Sequence, residues 1–335
     1  MIKVGIIGMG IRGNLYATTV KYNAFAEVTG FAEGNPERLR AAKERFSGEA
    51  YEDYSRMLEE KRFDIVIVAL PDHLHKDAVI KAASSGCNLL IEKPLATSYE
   101  DAKTMVKAIK EAGVKALVGY ENRWSPVFIT AKEAVAAGEL KDIQLIQAKL
   151  NDSIWVPTKM LSWTTGSSVG WFLMPHTVDL ALWLSGQKAI SVHAVGQKKV
   201  LAKMGIDTFD SITATVVFES GMVGTFSSSW IYPESIPLIY DMRLEVLGSD
   251  GALEVDLRDQ NIHKMTNRYS HPPTLGRDIY GKPVGFAAEM LNSFIDNVKD
   301  ATEPLVDLED ALTGVNIVDT IHRAVVSGGI LKVEE

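Results

Sequence analysis

The feature that most restricts this chain is its opening. A short apolar run, Val4 to Ile7, ends in Gly8-Met9-Gly10-Ile11-Arg12-Gly13, and a helical pattern follows from about Arg12 to Tyr22. Alone, G-x-G-x-x-G is a common glycine-rich turn; between an apolar strand and a helix it has a specific use. Gly8 allows the tight turn, Gly10 lets backbone N–H groups at Ile11 and Arg12 approach a pyrophosphate, and Gly13 lets the helix lie close to the strand. Glu33 stands 20 residues beyond Gly13, at the end of the next strand-like run, Val28 to Ala32, where a carboxylate can bind the adenosine ribose hydroxyls. Such a carboxylate repels a 2′-phosphate, so the pattern favours NAD over NADP. Arg12 and Arg38 are the cations that weaken that preference.

The rhythm continues with a helical stretch from Pro36 to Phe46. Asp64 to Leu70 is β-branched and apolar on both faces, as suits a central parallel strand. A helix from about Lys76 to Ser85, a strand Asn88 to Ile91, a helix Tyr99 to Ala112 and a strand Ala116 to Gly119 complete an α/β, doubly wound Rossmann pattern over residues 1–122. Residues 123–335 read differently. A helix from Pro126 to Ala137 precedes the strands Ile143 to Leu150, Ser191 to Val200, Ser211 to Phe218, Met222 to Ser229 and Arg243 to Leu247, with turns at Glu219-Ser220-Gly221 and Gly248-Ser249-Asp250-Gly251. Helices follow over Phe286 to Val298 and Leu308 to Val326, making this half an α+β domain with an antiparallel sheet.

Two domains agree with a length of 335 residues, more than one core usually organises. A net charge of −8 without a basic stripe argues against nucleic acid or an anionic membrane as partner. The single cysteine, Cys87, rules out an intrachain disulfide and a cysteine-rich metal site, and points to a reducing, cytoplasmic compartment. No run approaches the roughly 20 apolar residues of a membrane span.

Further candidates for chemistry follow the strands. Leu70-Pro71-Asp72-His73-Leu74-His75 ends the central strand; its two histidines at i and i+2 share no helix face, and no third ligand stands near, so no metal is expected. Glu92-Lys93-Pro94 ends the following strand, at the sheet edge where ligands bind. By position alone Lys93 is equally a substrate residue or a solvated lysine. In a helix starting at about His176, the residues His176, Asp179, Leu180 and Trp183 share one face and Gly186 ends it. On periodicity alone a core helix whose histidine is satisfied by Asp179 is favoured over a catalytic one.

Together with Gly119-Tyr120-x-Asn122-Arg123-Trp124-x-Pro126 and Leu247-Gly248-Ser249-x-Gly251, these motifs resemble the Gfo/Idh/MocA oxidoreductases along nearly the whole chain. The resemblance implies a Rossmann domain and a C-terminal domain with a large open antiparallel sheet, one face of which builds a homodimer or homotetramer. It implies NAD(P)-dependent hydride transfer at a secondary hydroxyl or ketone of a sugar, sugar acid or cyclitol. Leu70, Pro71, His75, Glu92 and Lys93 then join the glycine loop at the cofactor. Lys93, Asn122, Arg123, Trp163, Phe172 and His176 face the substrate. Lys93 contacts the reacting oxygen, His176 accepts or relays its proton, and Asp179 orients the histidine. Many members carry an Asp four residues before this histidine, where this chain has Phe172. Pro175, between the two, can kink the turn that joins them. An NAD-dependent glycosidase, a reductase of a less polar substrate and a noncatalytic NAD-binding sensor are the alternatives.

Overall fold

The computed structural model describes residues 1–267, 269–274 and 278–334. The chain divides into two compact units, Met1–Trp124 with Gly276–Leu312, and Ser125–Leu275 with Thr313–Glu335. The first unit thus takes back a segment that a division after residue 122 leaves in the second domain.

In the first unit β1 (Ile2–Ile7), α1 (Ile11–Lys21), β2 (Ala26–Ala32), α2 (Pro36–Arg45), β3 (Glu49–Tyr51), α3 (Tyr54–Glu60), β4 (Ile65–Val68), α4 (His75–Ser84), β5 (Asn88–Ile91), α5 (Tyr99–Ala112) and β6 (Ala116–Val118) alternate. The strands pair in parallel in the order β3-β2-β1-β4-β5-β6. The direction of winding reverses between β1 and β4, so functional residues are expected beyond the carboxyl ends of the strands. Every residue of β4 is buried, which explains its unbroken apolar run. Its ladder stops at Val68 rather than Leu70, just before Pro71, which has no N–H to donate. β3 and α3 are additions to the sequence reading. Both are too short for periodicity to reveal, and α3 is marked only by Asp53, whose carboxylate accepts from Ser55 N.

The second unit begins with α6 (Pro126–Ala136), β7 (Ile143–Ser153), α7 (Val169–Ser185), β8 (Ala189–Gln197), α8 (Val200–Lys203), β9 (Ser211–Phe218), β10 (Val223–Tyr232), β11 (Tyr240–Gly248) and β12 (Ala252–Asp256), followed by the short pair β13 (Lys264–Met265) and β14 (Tyr269–Ser270). Beyond them come α9 (Phe286–Asp300), in the first unit's return segment, then α10 (Leu308–Ser327) and β15 (Ile330–Lys332). The second sheet has the order β12-β11-β7-β10-β9-β8-β15 and is antiparallel except at one pair, β7 beside β10. One sheet face, with Ala214, Val216, Phe226, Trp230 and Leu244, is buried, and α7 packs on β7, β9 and β10. No helix among the described residues is long and apolar enough to cross a membrane.

α7 corrects the expectation of a helix starting at about His176. It starts at Val169, capped by Ser168, whose hydroxyl oxygen accepts from Trp171 N, and it runs through Pro175 to Gly186. The proline removes one N–H but does not end the helix. With most of its residues buried, α7 lacks the polar stripe that would have marked its first turns.

Its start is fixed from α10. His322 Nδ1 lies 2.7 Å from Val318 O and Nε2 lies 2.6 Å from Ser168 Oγ, so the imidazole donates to the carbonyl and accepts from the serine. The ring stacks on Trp171 at 4.7 Å, and Gly170 leaves it room: a Cβ there would sit 2.6 Å from the imidazole. Burial holds the His322 pKa below its ordinary 6.5. The folded state therefore binds this proton less readily than the unfolded chain, and stability falls as pH drops from about 6.5 through the folded pKa. Urea unfolding should show a lower midpoint at about pH 5 than at about pH 7.5, and His322→Phe, which keeps the stacking, should reduce that difference. An unchanged pH dependence in His322→Phe would remove this histidine from the acid sensitivity.

Candidate active site

The glycine loop divides its labour by position. Gly8 has φ +93°, and a Cβ on it would meet Ala69 O at 2.5 Å; one on Gly13 would lie 1.9 Å from Gly8 O. These two serve the chain's own close packing. Among the described residues nothing lies within 4 Å of a Cβ built on Gly10 and no side chain caps α1, which leaves room for a ligand at the first turn, where Ile11 and Arg12 begin the helix. Asn14 Nδ2 donates to Met9 O at 2.7 Å and to Gly10 O at 3.0 Å, holding the loop in shape. Glu33 follows β2, and its two carboxylate oxygens accept from Met9 N at 2.9 Å and Asn35 N at 2.8 Å. An open cradle at a helix N-terminus, beside a carboxylate fixed by the same loop, fits the pyrophosphate and adenosine ribose of a dinucleotide.

Arg12 is not placed to receive a 2′-phosphate. Its Nε lies 3.1 Å from Glu92 Oε1 and its Nη2 bonds Glu121. Of the two cations that could weaken an NAD preference, only Arg38 remains exposed at the start of α2. Calorimetry should therefore show NAD(H) binding roughly tenfold or more tighter than NADP(H), with the gap narrowed in Glu33→Gln. Tighter NADP(H) binding by the unmodified protein would contradict this placement.

Residues beyond β4, β5 and β6 complete this edge. Leu70 and Pro71 leave β4, and buried His75 ties that turn to the next: one ring nitrogen lies 3.0 Å from Leu70 O and the other 2.8 Å from Pro94 O. His73 is exposed beside buried Asp72, and among the described residues no three His, Cys, Asp or Glu side chains group to hold a metal ion. Glu92 and Lys93 follow β5, with a cis peptide between Lys93 and Pro94. Lys93 is half-buried, not a freely solvated lysine. Burial pushes its pKa below the ordinary lysine range, against the opposing pull of Glu92 and Glu121; Arg12 adds to the depression and Asp72 opposes it. Asn122 and Arg123 are buried in the turn after β6, and Arg123 Nη1 donates to Asp310 Oδ2 at 2.8 Å. The guanidinium that the motif marks for substrate thus has a carboxylate partner in α10.

In the second unit, α7 presents Phe172 and His176 half-buried one turn apart, while Asp179 is buried. Because the helix is continuous, His176 and Asp179 keep the i, i+3 spacing that places them on one face. Trp163 sets its ring edge-on to Phe172 with centroids 6.0 Å apart, and buried Trp230 lies 6.1 Å from Phe172 on β10. Phe172 is thus embedded in an aromatic cluster with Trp163 and Trp230.

Residues 2–120 match the oxidoreductase family with an NAD-binding Rossmann fold, and residues 128–254 match the GFO/IDH/MocA C-terminal domain. The chain belongs to the Gfo/Idh/MocA family. Similar proteins include a myo-inositol 2-dehydrogenase of Thermotoga maritima, 27% identical over 100% of this chain and 99% of that one. An NAD-specified scyllo-inositol 2-dehydrogenase of Bacillus subtilis is 28% identical over 78% of this chain and 76% of its own. The structure of scyllo-inositol dehydrogenase from Lactobacillus casei with NAD(H) and scyllo-inositol superposes with a TM-score of 0.85 at 20% identity, covering 99% of both chains, and shows a common fold. This Gfo/Idh/MocA protein is an NAD-dependent oxidoreductase. Asn14, Tyr16, Glu121 and Asp310 join the site without being marked in the sequence. Asn14 had a local signal, standing next to the last glycine of the loop; the others meet their partners only through the fold.

Proposed function

We propose that this enzyme oxidises a secondary hydroxyl of a cyclitol, sugar or sugar acid, or reduces the corresponding ketone. The observation that carries the reading is Lys93, half-buried at the sheet edge that holds the glycine loop and Glu33, with its pKa lowered by burial. The inositol dehydrogenases among its relatives supply the substrate class. Bound NAD supplies the hydride acceptor. The hydroxyl proton must leave as carbonyl character develops, and a lysine whose ammonium is destabilised can contact that oxygen and give or take the proton near neutral pH. As the ammonium it also stabilises developing alkoxide charge. His176 accepts or relays the proton, with Asp179 as its orienting partner.

Phe172 and Trp163 favour a substrate with an apolar face, or one lacking a hydroxyl at that point, and this is what keeps a reductase of a less polar substrate as the second reading. An apolar wall rejects an extra hydroxyl by only about 10²-fold, so fully hydroxylated rings remain turned over, slowly. We place the enzyme in the cytoplasm as a homodimer or homotetramer, with the open face of the second sheet covered by another copy. Light scattering that returns the mass of one chain would remove the assembly from this reading.

The test is a panel of inositols, aldoses, uronic acids and their deoxy analogues with NAD, followed by the absorbance of reduced nicotinamide. Turnover of a cyclitol or sugar is expected, fastest for a deoxy analogue. Turnover confined to planar or apolar ketones would favour the second reading, release of an aglycone from chromogenic glycosides the glycosidase, and nucleotide binding without turnover the sensor.

A further inference from the structure

Lys93 does not stand alone at the sheet edge. Arg12 reaches it from the first turn of α1, Glu92 from the end of β5, Glu121 from the turn after β6 and Asp72 from the turn after β4. The Arg12 side chain is 31% exposed, whereas the Glu92 and Glu121 side chains it bridges are each 7% exposed. Fully buried Tyr16, one turn further along α1, donates its hydroxyl to the same Glu92 oxygen that Arg12 contacts. Burial and then Glu92 push the Tyr16 pKa well up, so it stays a phenol and a donor. Burial alone would weaken the Arg12 charge, but Glu121 and Glu92 outweigh it and hold the guanidinium protonated. His75 lies behind Pro94 with both ring nitrogens on backbone carbonyls.

We infer that Glu121 is a positioning residue for Lys93: through Arg12 it fixes Glu92, the residue preceding the lysine, and the Glu121–Arg12–Glu92 bridge sets the local charge against which the lysine gains and loses its proton. Two buried carboxylates joined by one guanidinium fix both the place and the field of the next side chain, because neither acid can turn away without stranding a charge. The direction of each substitution follows. Glu121→Gln keeps an acceptor for Arg12 but deletes a negative charge, so Lys93 releases its proton at lower pH. Arg12→Met deletes a positive charge and leaves the carboxylates facing the lysine, so Lys93 holds its proton to higher pH. The double variant Arg12→Met/Glu121→Met removes opposite charges together and should return Lys93 towards its original behaviour, while avoiding a stranded Glu121.

This inference rests on the reading of Lys93 as the group at the reacting oxygen, and two readouts separate them. The first is competitive acetylation of the full-length protein, with and without NAD, across pH: the labelling rate of the Lys93 peptide reports the free amine whether or not the enzyme turns over. The second is the pH dependence of kcat/KM on the best substrate. On the acid side of the profile, Glu121→Gln should raise both the relative labelling rate and kcat/KM, and Arg12→Met should lower both, each by about tenfold, with the double variant between them. Labelling shifts in opposite directions without matching shifts in kcat/KM would uphold the bridge and overturn the catalytic reading of Lys93. A Glu121→Gln labelling curve that superposes on that of the unmodified protein, or a double variant displaced as far as Glu121→Gln, would overturn the bridge. Should Arg12→Met fail to fold, those two variants still decide the matter.

Discussion

Lys93→Ala is expected to lower kcat by about 10²–10⁴-fold while NAD affinity stays within about twofold of the unmodified enzyme. The cofactor cradle is built from Gly10, the first-turn amides of α1 and Glu33, none of which needs the lysine side chain for its geometry. Lys93 instead carries the group whose pKa is lowered by burial, a cost that a purely structural lysine would avoid by turning to solvent. Its loss should therefore remove an interaction made as the hydroxyl proton leaves and spare one made with the nucleotide. A variant with near-normal kcat would take Lys93 out of the reaction; one that fails to bind NAD would reassign it to the cofactor.

The second large effect concerns α7. His176→Ala should reduce kcat by about 10²–10⁴-fold, and Asp179→Asn by at least about tenfold, whereas Phe172→Leu should change it less than Asp179→Asn on the same substrate. The continuous helix supports this order: it sets Asp179 one turn from His176 and buries it, while Phe172 sits among Trp163 and Trp230. Asp179→Asn should also move the pH limb of kcat, which a loss of packing alone would not do. Phe172→Asp should improve turnover of fully hydroxylated substrates relative to deoxy ones, because an apolar wall there is replaced by an acceptor. A silent Asp179→Asn would show that His176 is oriented by another group, and a silent His176→Ala would remove α7 from the chemistry.

The first domain was largely legible because its signals are local and redundant. A strand, three glycines with different steric duties and an acid at the end of the next strand fall within one βαβ unit. Most strands of the second sheet were legible too, since period-two burial survives in β9 and β10, but β15 was not, and the run read as a strand from Ser191 to Val200 ends at Gln197, before α8. Features that depend on distant residues were not. Glu121 lies 109 positions from Arg12, and Asp310 lies 187 from Arg123, so neither ion pair leaves a trace in spacing or periodicity. The motif marked Arg123 as a substrate group, and only the fold shows the carboxylate that occupies it. α7 was misjudged at its start for the opposite reason: Trp171 to Pro175 is apolar with a proline inside, a pattern that reads as an irregular approach to a helix until the packing around it is known.

The residue roles proposed for Lys93, His176 and Asp179 all depend on net hydride transfer from a carbinol carbon of a cyclitol or sugar to NAD. Its most direct measurement is turnover of a substrate deuterated at that carbon, with mass spectrometry of the nucleotide and product together. One deuterium in the reduced nicotinamide is expected for each ketone formed, with a slowed rate in the deuterated substrate wherever hydride transfer limits turnover. Product formed with no accumulation of reduced nicotinamide, or reduced nicotinamide free of deuterium, would contradict it.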